Sequence, residues 1–146
     1  MKKILYATTA LTILLILSLI LFGEKNNKTG YTDGVYYGKS KAIYTDEDFW
    51  GSVKVIIEQG RIISVNFKII DSTNHETFNQ NYEKHYIGNE LYIQQCRADW
   101  EGVQTYPNLL VKSQNIDDVD VISGATWSYN LLKYSMQDAL KNAKVE

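Results

Sequence analysis

The sequence predicts an α+β fold, a small twisted antiparallel sheet packed with helices and preceded by one N-terminal transmembrane helix. Three observations carry this expectation. Residues Ile4 to Gly23 run without a single charge. Two stretches of alternating apolar and polar residues flank Gly60. The C-terminal segment places its apolar side chains on one helical face.

The charge-free run holds about 20 residues, and at 1.5 Å per residue a helix of that length spans roughly 30 Å, the thickness of a hydrocarbon core. Lys2 and Lys3 precede it, like the basic start of an export signal. Cleavage after Gly23 would place Leu21 at the −3 position, where a signal peptidase wants a small residue, so the run reads as an uncleaved anchor, with a cleaved signal as the alternative. Lys25 and Lys28 flank the far end, so the positive-inside count favours an exported C-terminal part only slightly. Glu24 to Gly30 is polar and reads as a short tether.

Beyond the tether, Tyr31 to Gly38 looks like a turn entering a first strand. Val53, Val55 and Ile57 then alternate with Ser52, Lys54, Ile56 and Glu58. After Gln59-Gly60, Ile63, Val65, Phe67 and Ile69 alternate with Ser64, Asn66 and Lys68. Two period-two runs around a glycine turn mean a hairpin with one buried face. Asp71 to Trp100 is polar and partly helical, with too ragged a period to place boundaries. Pro107 suits the first turn of a short helix through Ser113, with Leu109 and Leu110 inward. The last helix is expected from Ala125 to Ala143, because Leu132, Met136, Ala139, Leu140 and Ala143 form one stripe.

The chain carries 15 basic and 17 acidic residues, a formal net charge of −2. With Lys2 and Lys3 set aside, the remainder is more acidic still, and no basic patch for nucleic acid or anionic lipid is expected. One cysteine, Cys96, cannot form an internal disulfide and reads as an inert thiol. His75 and His85 lack a second ligand at metal spacing, so no metal site is expected. No nucleophile–base pair stands out, hence no catalytic residue is named. Trp50, Tyr106 and Trp127 could stack on a flat ligand or simply pack.

The stretch Asp120-Val121-Ile122-Ser123-Gly124-Ala125-Thr126 ends where the last helix begins. Small residues entering a helix N-terminus leave backbone N–H groups and the helix dipole available to an anion, and Ser123 and Thr126 add hydroxyls. Ser or Thr capping the helix, with Gly124 making the turn, is the competing reading.

This stretch resembles the Asp-x-x-(Ser/Thr)-Gly-Ala-Thr flavinylation motif of FMN-binding domains, the family of the covalently flavinylated subunit of sodium-translocating NADH:quinone reductase and of small membrane-attached extracytoplasmic proteins. The similarity extends to Asp33-Gly34-Val35-Tyr36, to Trp50-Gly51-Ser52-Val53-Lys54-Val55, to the turn at Gln59-Gly60-Arg61-Ile62, and to the acidic approach Asn115 to Asp120. It covers about Tyr31 to Ala143. Gln59 stands where Asp or Asn is usual, and the lipid-accepting cysteine of many small relatives is absent.

The resemblance implies an anchor or signal at 1–23, a tether at 24–30 and an FMN-binding domain at 31–146. It implies FMN joined through a phosphoester to Thr126 by a flavin transferase that uses FAD, with Asp120, Ser123, Gly124 and Ala125 as recognition sequence and phosphate surroundings. The implied role is electron carriage outside the cytoplasm, on the cell membrane, between a membrane redox partner and an exported reductase or soluble acceptor. A non-flavinylated, membrane-tethered binding or sensing module of the same fold is the alternative, and a reductase with its own substrate ranks last.

Overall fold

The computed structural model describes residues 30–40 and 48–144. The expected anchor at 1–23 and nearly all of the tether lie outside them. Among the described residues no helix is long and apolar enough to cross a membrane. Four antiparallel strands follow in order across one sheet: β1 (Gly34–Lys39), β2 (Phe49–Glu58), β3 (Arg61–Asp71) and the short β4 (Glu76–Thr77). Two long helices, α1 (Glu90–Ser113) and α2 (Thr126–Leu140), pack on one face, with 3₁₀ turns at Tyr82–Tyr86 and Ile116–Asp118.

The hairpin forms where the alternation requires it, with one correction. Gln59 and Gly60 both take left-handed φ, +53° and +69°, as a two-residue turn matching the strand twist demands. Val55 pairs with Val65 and Ile56 with Ser64, but Ile57 pairs with Ile62, so Ile63 is an extra residue in a bulge. The bulge flips the phase. Ile62 is buried at 1% exposure and Ile63 stands out at 45%, the reverse of the expected row.

Pro107 lies inside α1 rather than at the start of a short helix. The helix begins seventeen residues earlier, where the side chain of Asn89 accepts a hydrogen bond from the Tyr92 N–H (3.3 Å). Leu110 is fully buried and Leu109 packs at the margin of the core. At the far end Gln114 takes a left-handed φ of +65° and donates its N–H to the Leu110 carbonyl (2.8 Å). Its side-chain amide reaches the hairpin, accepting from the Ile62 N–H (2.8 Å) and donating to the Ile62 carbonyl (2.9 Å).

The last helix follows its stripe: Leu132, Met136, Ala139, Leu140 and Ala143 are all buried, although helical geometry stops at Leu140. It lies unusually close to the sheet because glycines meet it. Gly38 and Gly51 face Ser135, Ala139 and Leu131, with no room for a side chain. Past the helix, Tyr31 bridges to Lys144 and fastens the start of the domain to its end.

The opposite sheet face stays open among the described residues. Its rows run Val35–Ile56–Ser64, Tyr37–Lys54–Asn66, Lys39–Ser52–Lys68 and Trp50–Ile70–Thr77. The modest excess of acid in the chain therefore is not spread evenly, because period-two alternation sends three lysines to one side.

Candidate cofactor site

Ser123, Gly124, Ala125 and Thr126 form one tight turn at the N-terminus of α2. The Ala125 N–H donates to the Ile122 carbonyl (3.0 Å), and Gly124 takes a φ of +81°. Added bulk at Gly124 would press on the Ala98 side chain, whose Cβ would lie 3.1 Å from a new one. Ala125 is completely buried, whereas Ser123, Thr126 and Asp120 are exposed. Asp120 sits upstream on the approach to the turn and makes no hydrogen bond or ion pair within the described residues.

The capping alternative does not hold. Ala125, not Ser123 or Thr126, occupies the cap position, and no side chain there accepts a helix N–H. The N–H groups of Thr126 and Trp127 find no acceptor among the described residues. The next one, on Ser128, donates to the Asp99 Oδ1 of the other helix (3.0 Å).

That contact belongs to a clamp the sequence reading missed. Gln95, Asp99, Gly102 and Tyr106 fall at i, i+4, i+7 and i+11, one face of α1. Gln95 Nε2 donates to the Gly124 carbonyl (2.6 Å) and to Asp99 Oδ2 (2.6 Å). The Tyr106 hydroxyl accepts from the Ile122 N–H (3.0 Å) and donates to the Ala125 carbonyl (3.0 Å). A Cβ on Gly102 would meet Ser128 Oγ at 2.5 Å, Tyr106 Cε2 at 2.7 Å and Ala125 Cβ at 3.0 Å. The helical spacing of these four residues was the available signal, but a mostly polar stripe does not read as a buried one.

Burial raises the pKa of the Asp99 carboxyl, outweighing the hydrogen bonds from Gln95 and Ser128. A carboxyl with a raised folded-state pKa contributes stability that is present below its unfolded value and lost as pH climbs through the folded one. Wild-type stability is therefore expected to fall relative to Asp99→Asn as pH rises from below 3.8 to neutral. Urea unfolding of both proteins across that range checks it; a difference moving the other way would contradict the burial argument.

Beside the turn, six aromatic side chains converge from four parts of the chain. Phe49, Phe78, Tyr82, Tyr86, Tyr92 and Trp127 line an open cavity of ≈ 210 Å³, completed by Gln95, Cys96 and Asp99. Trp127 packs edge-on against Phe49 (5.3 Å, 84°) and Phe78 (5.5 Å, 67°). Burial, with the Asp99 and Glu83 charges behind it, pushes the Cys96 thiol up to about 11, an unreactive thiol at neutral pH.

A second, more polar cavity shares Phe49, Tyr82 and Tyr86 with the first and reaches Asp71. Burial works to raise the Asp71 carboxyl, but hydrogen bonds from Tyr82, Asn74 and Thr73 prevail and hold it below the usual range. His85 pairs with Glu76, which also holds Lys84. His75 stands exposed on the β3–β4 turn. No group of three metal-ligating side chains occurs among the described residues.

The model of the FMN-binding domain family matches residues 47–141. The chain belongs to the FMN-binding domain family. Among solved structures, this FMN-binding domain is similar to the CPE2226 protein from Clostridium perfringens. The two are 22% identical with a TM-score of 0.57, over 77% of this chain and 88% of that one, a likeness of fold. A protein from Clostridium thermocellum, solved by solution NMR, is 19% identical with a TM-score of 0.39, over 75% of this chain and 93% of that one. No curated protein matches the chain.

The residues present fit the cofactor of the family. Two N–H groups without acceptors and an exposed hydroxyl suit a phosphate, and the aromatic cavity next to Trp127 suits a flat ring system. Of the three aromatics considered from sequence, Trp127 lines this cavity. Tyr106 is buried with its hydroxyl committed to the turn. Trp50 lies on the other face of the sheet, as its neighbour Phe49 points into the cavity.

Proposed function

We propose that this FMN-binding domain is an extracytoplasmic, membrane-anchored flavoprotein electron carrier, with FMN linked through a phosphoester to Thr126. The observation that carries the reading is the placement of Thr126. Its hydroxyl is exposed on the first turn of a 15-residue helix, beside two N–H groups without acceptors and one residue from the aromatic wall at Trp127.

Each residue of the site then has a task. Thr126 Oγ1 becomes the ester oxygen: a flavin transferase using FAD would join it to the FMN phosphorus, with AMP leaving and the hydroxyl proton lost. The Thr126 and Trp127 N–H groups stabilise the phosphate charge, helped by the helix dipole. Gly124 and exposed Ser123 keep the approach open to a transferase, and Asp120 extends the recognised stretch outward. Gln95, Asp99 and Tyr106 hold the turn rigid, so that the acceptor hydroxyl is presented in one position. The aromatic cavity excludes water from one side of the ring it receives.

When bound, FMN supplies reversible acceptance and donation of electrons. Covalent attachment suits a domain outside the cytoplasm, since an ester keeps the cofactor at high local concentration where a dissociable one would diffuse away. The anchor read at 1–23 would keep it near a membrane redox partner, with an exported reductase or soluble acceptor downstream.

The test is intact mass and in-gel flavin fluorescence of the full chain co-expressed with a flavin transferase. A gain of FMN less one water that survives denaturation is expected. An unmodified chain beside a fully modified control substrate would overturn the reading and leave a membrane-tethered binding or sensing module.

A further inference from the structure

The sheet face turned away from the helices is not explained by the cofactor site. Its four rows hold Val35, Tyr37, Ile56, Trp50 and Ile70 among Lys39, Lys54 and Lys68, and no carboxylate. Tyr37 is 69% exposed and Val35 49%. All three lysines are exposed, and none forms an ion pair with a described residue. Glu58 is the one carboxylate that alternation adds to this side of β2, and Arg61 opposite offsets it, so in a chain with a formal charge of −2 the three lysines make a local inversion of sign.

We infer that this face lies on the anionic lipid headgroups of the membrane that holds the chain. The inference rests on the proposed anchoring through residues 1–23. Charge complementarity favours an anionic surface, and the mixture is that of interfacial protein: Trp and Tyr with aliphatic side chains for the headgroup boundary, lysines for the phosphates. Chain length favours lipid over a soluble acidic protein. Only the six residues Glu24 to Thr29 separate the charge-free run from Gly30, the first described residue. Even fully extended, six residues reach no more than about 20 Å, so an anchored domain cannot leave the neighbourhood of the headgroups. The helices, and with them Thr126, then face away from the bilayer.

The test uses the full chain in lipid nanodiscs, with a spin label on Asn66→Cys in a Cys96→Ser background and a control label on Glu101→Cys. Asn66 lies within the lysine rows, and Glu101 is exposed on α1. Relaxation by a paramagnetic headgroup lipid is expected to be strong at Asn66 and weak at Glu101 when the discs contain phosphatidylglycerol. It should weaken in pure phosphatidylcholine discs and at high salt. Combining Lys39→Gln, Lys54→Gln and Lys68→Gln should reduce the equilibrium constant for contact about fivefold per lysine removed.

Equal relaxation at both labels in anionic discs would overturn the inference and leave the face to an acidic protein. Spin–spin broadening between Asn66 labels would assign it instead to a second copy of the chain. An unchanged Asn66 signal in the triple variant would remove the lysines from the account. Failure of the anchor is separate: the chain would wash off the discs in salt, while the Asn66 signal before washing still reports which face met the lipid.

Discussion

Thr126→Ala is expected to abolish covalent flavin completely while leaving stability within about 0.5 kcal/mol of wild type. Few positions permit so clean a separation. Thr126 is exposed, its side chain makes no hydrogen bond, and the cap of α2 is Ala125. Alanine is also the better helix former, so nothing in the fold depends on the lost hydroxyl. Thr126→Ser keeps an oxygen in place and should retain some loading. Intact mass reads loading, and urea unfolding reads stability. Residual FMN ester in Thr126→Ala would move the acceptor elsewhere, with Ser123 the first to examine.

Gly38→Ala should be far more damaging although it adds a single methyl group at a distance from the turn. The new Cβ would lie 2.1 Å from the Ser135 carbonyl oxygen, 2.4 Å from the Ala139 nitrogen and 2.8 Å from the Ala139 Cβ. Two of these three are backbone, so no rotamer change relieves the overlap. Helix α2 must lift off the sheet, which forfeits contact along Leu131, Ser135 and Ala139. A loss of about 3 kcal/mol or more is expected, a large share of the roughly 5–15 kcal/mol typical of a domain. Because α2 begins at Thr126, flavin loading should fall as well. Urea midpoints decide this; a midpoint within error of wild type would mean that the helix is not seated as closely as described.

The parts legible in the sequence were those whose burial pattern is simple. The hairpin and α2 each bury one apolar face, so periods of two and 3.6 reveal them. The bulge was hidden because Ile62 and Ile63 are equally apolar, and alternation cannot tell which one turns inward. Helix α1 was hidden for a different reason. Its inner face carries Gln95, Asp99, Gly102 and Tyr106, chosen to bond and make room for a backbone turn rather than to fill a core. Pro107 then suggested a beginning where the helix is already in its fifth turn. The motif at 120–126 was plain, yet the cavity beside it was not, since its aromatics are spread from Phe49 to Trp127 and meet only in the folded chain.

The contact between Gln114 and Ile62 carries a consequence for how the domain opens. A strand amide normally exchanges its proton with solvent when its ladder frays. The Ile62 N–H is held by a side chain at the end of α1, 52 residues away. Its deuterium uptake should therefore follow the undocking of α1 and not the fraying of the hairpin. A single amide in the sheet thus reports on the helix that clamps the turn at 123–126, and any ligand that tightens that clamp should slow it.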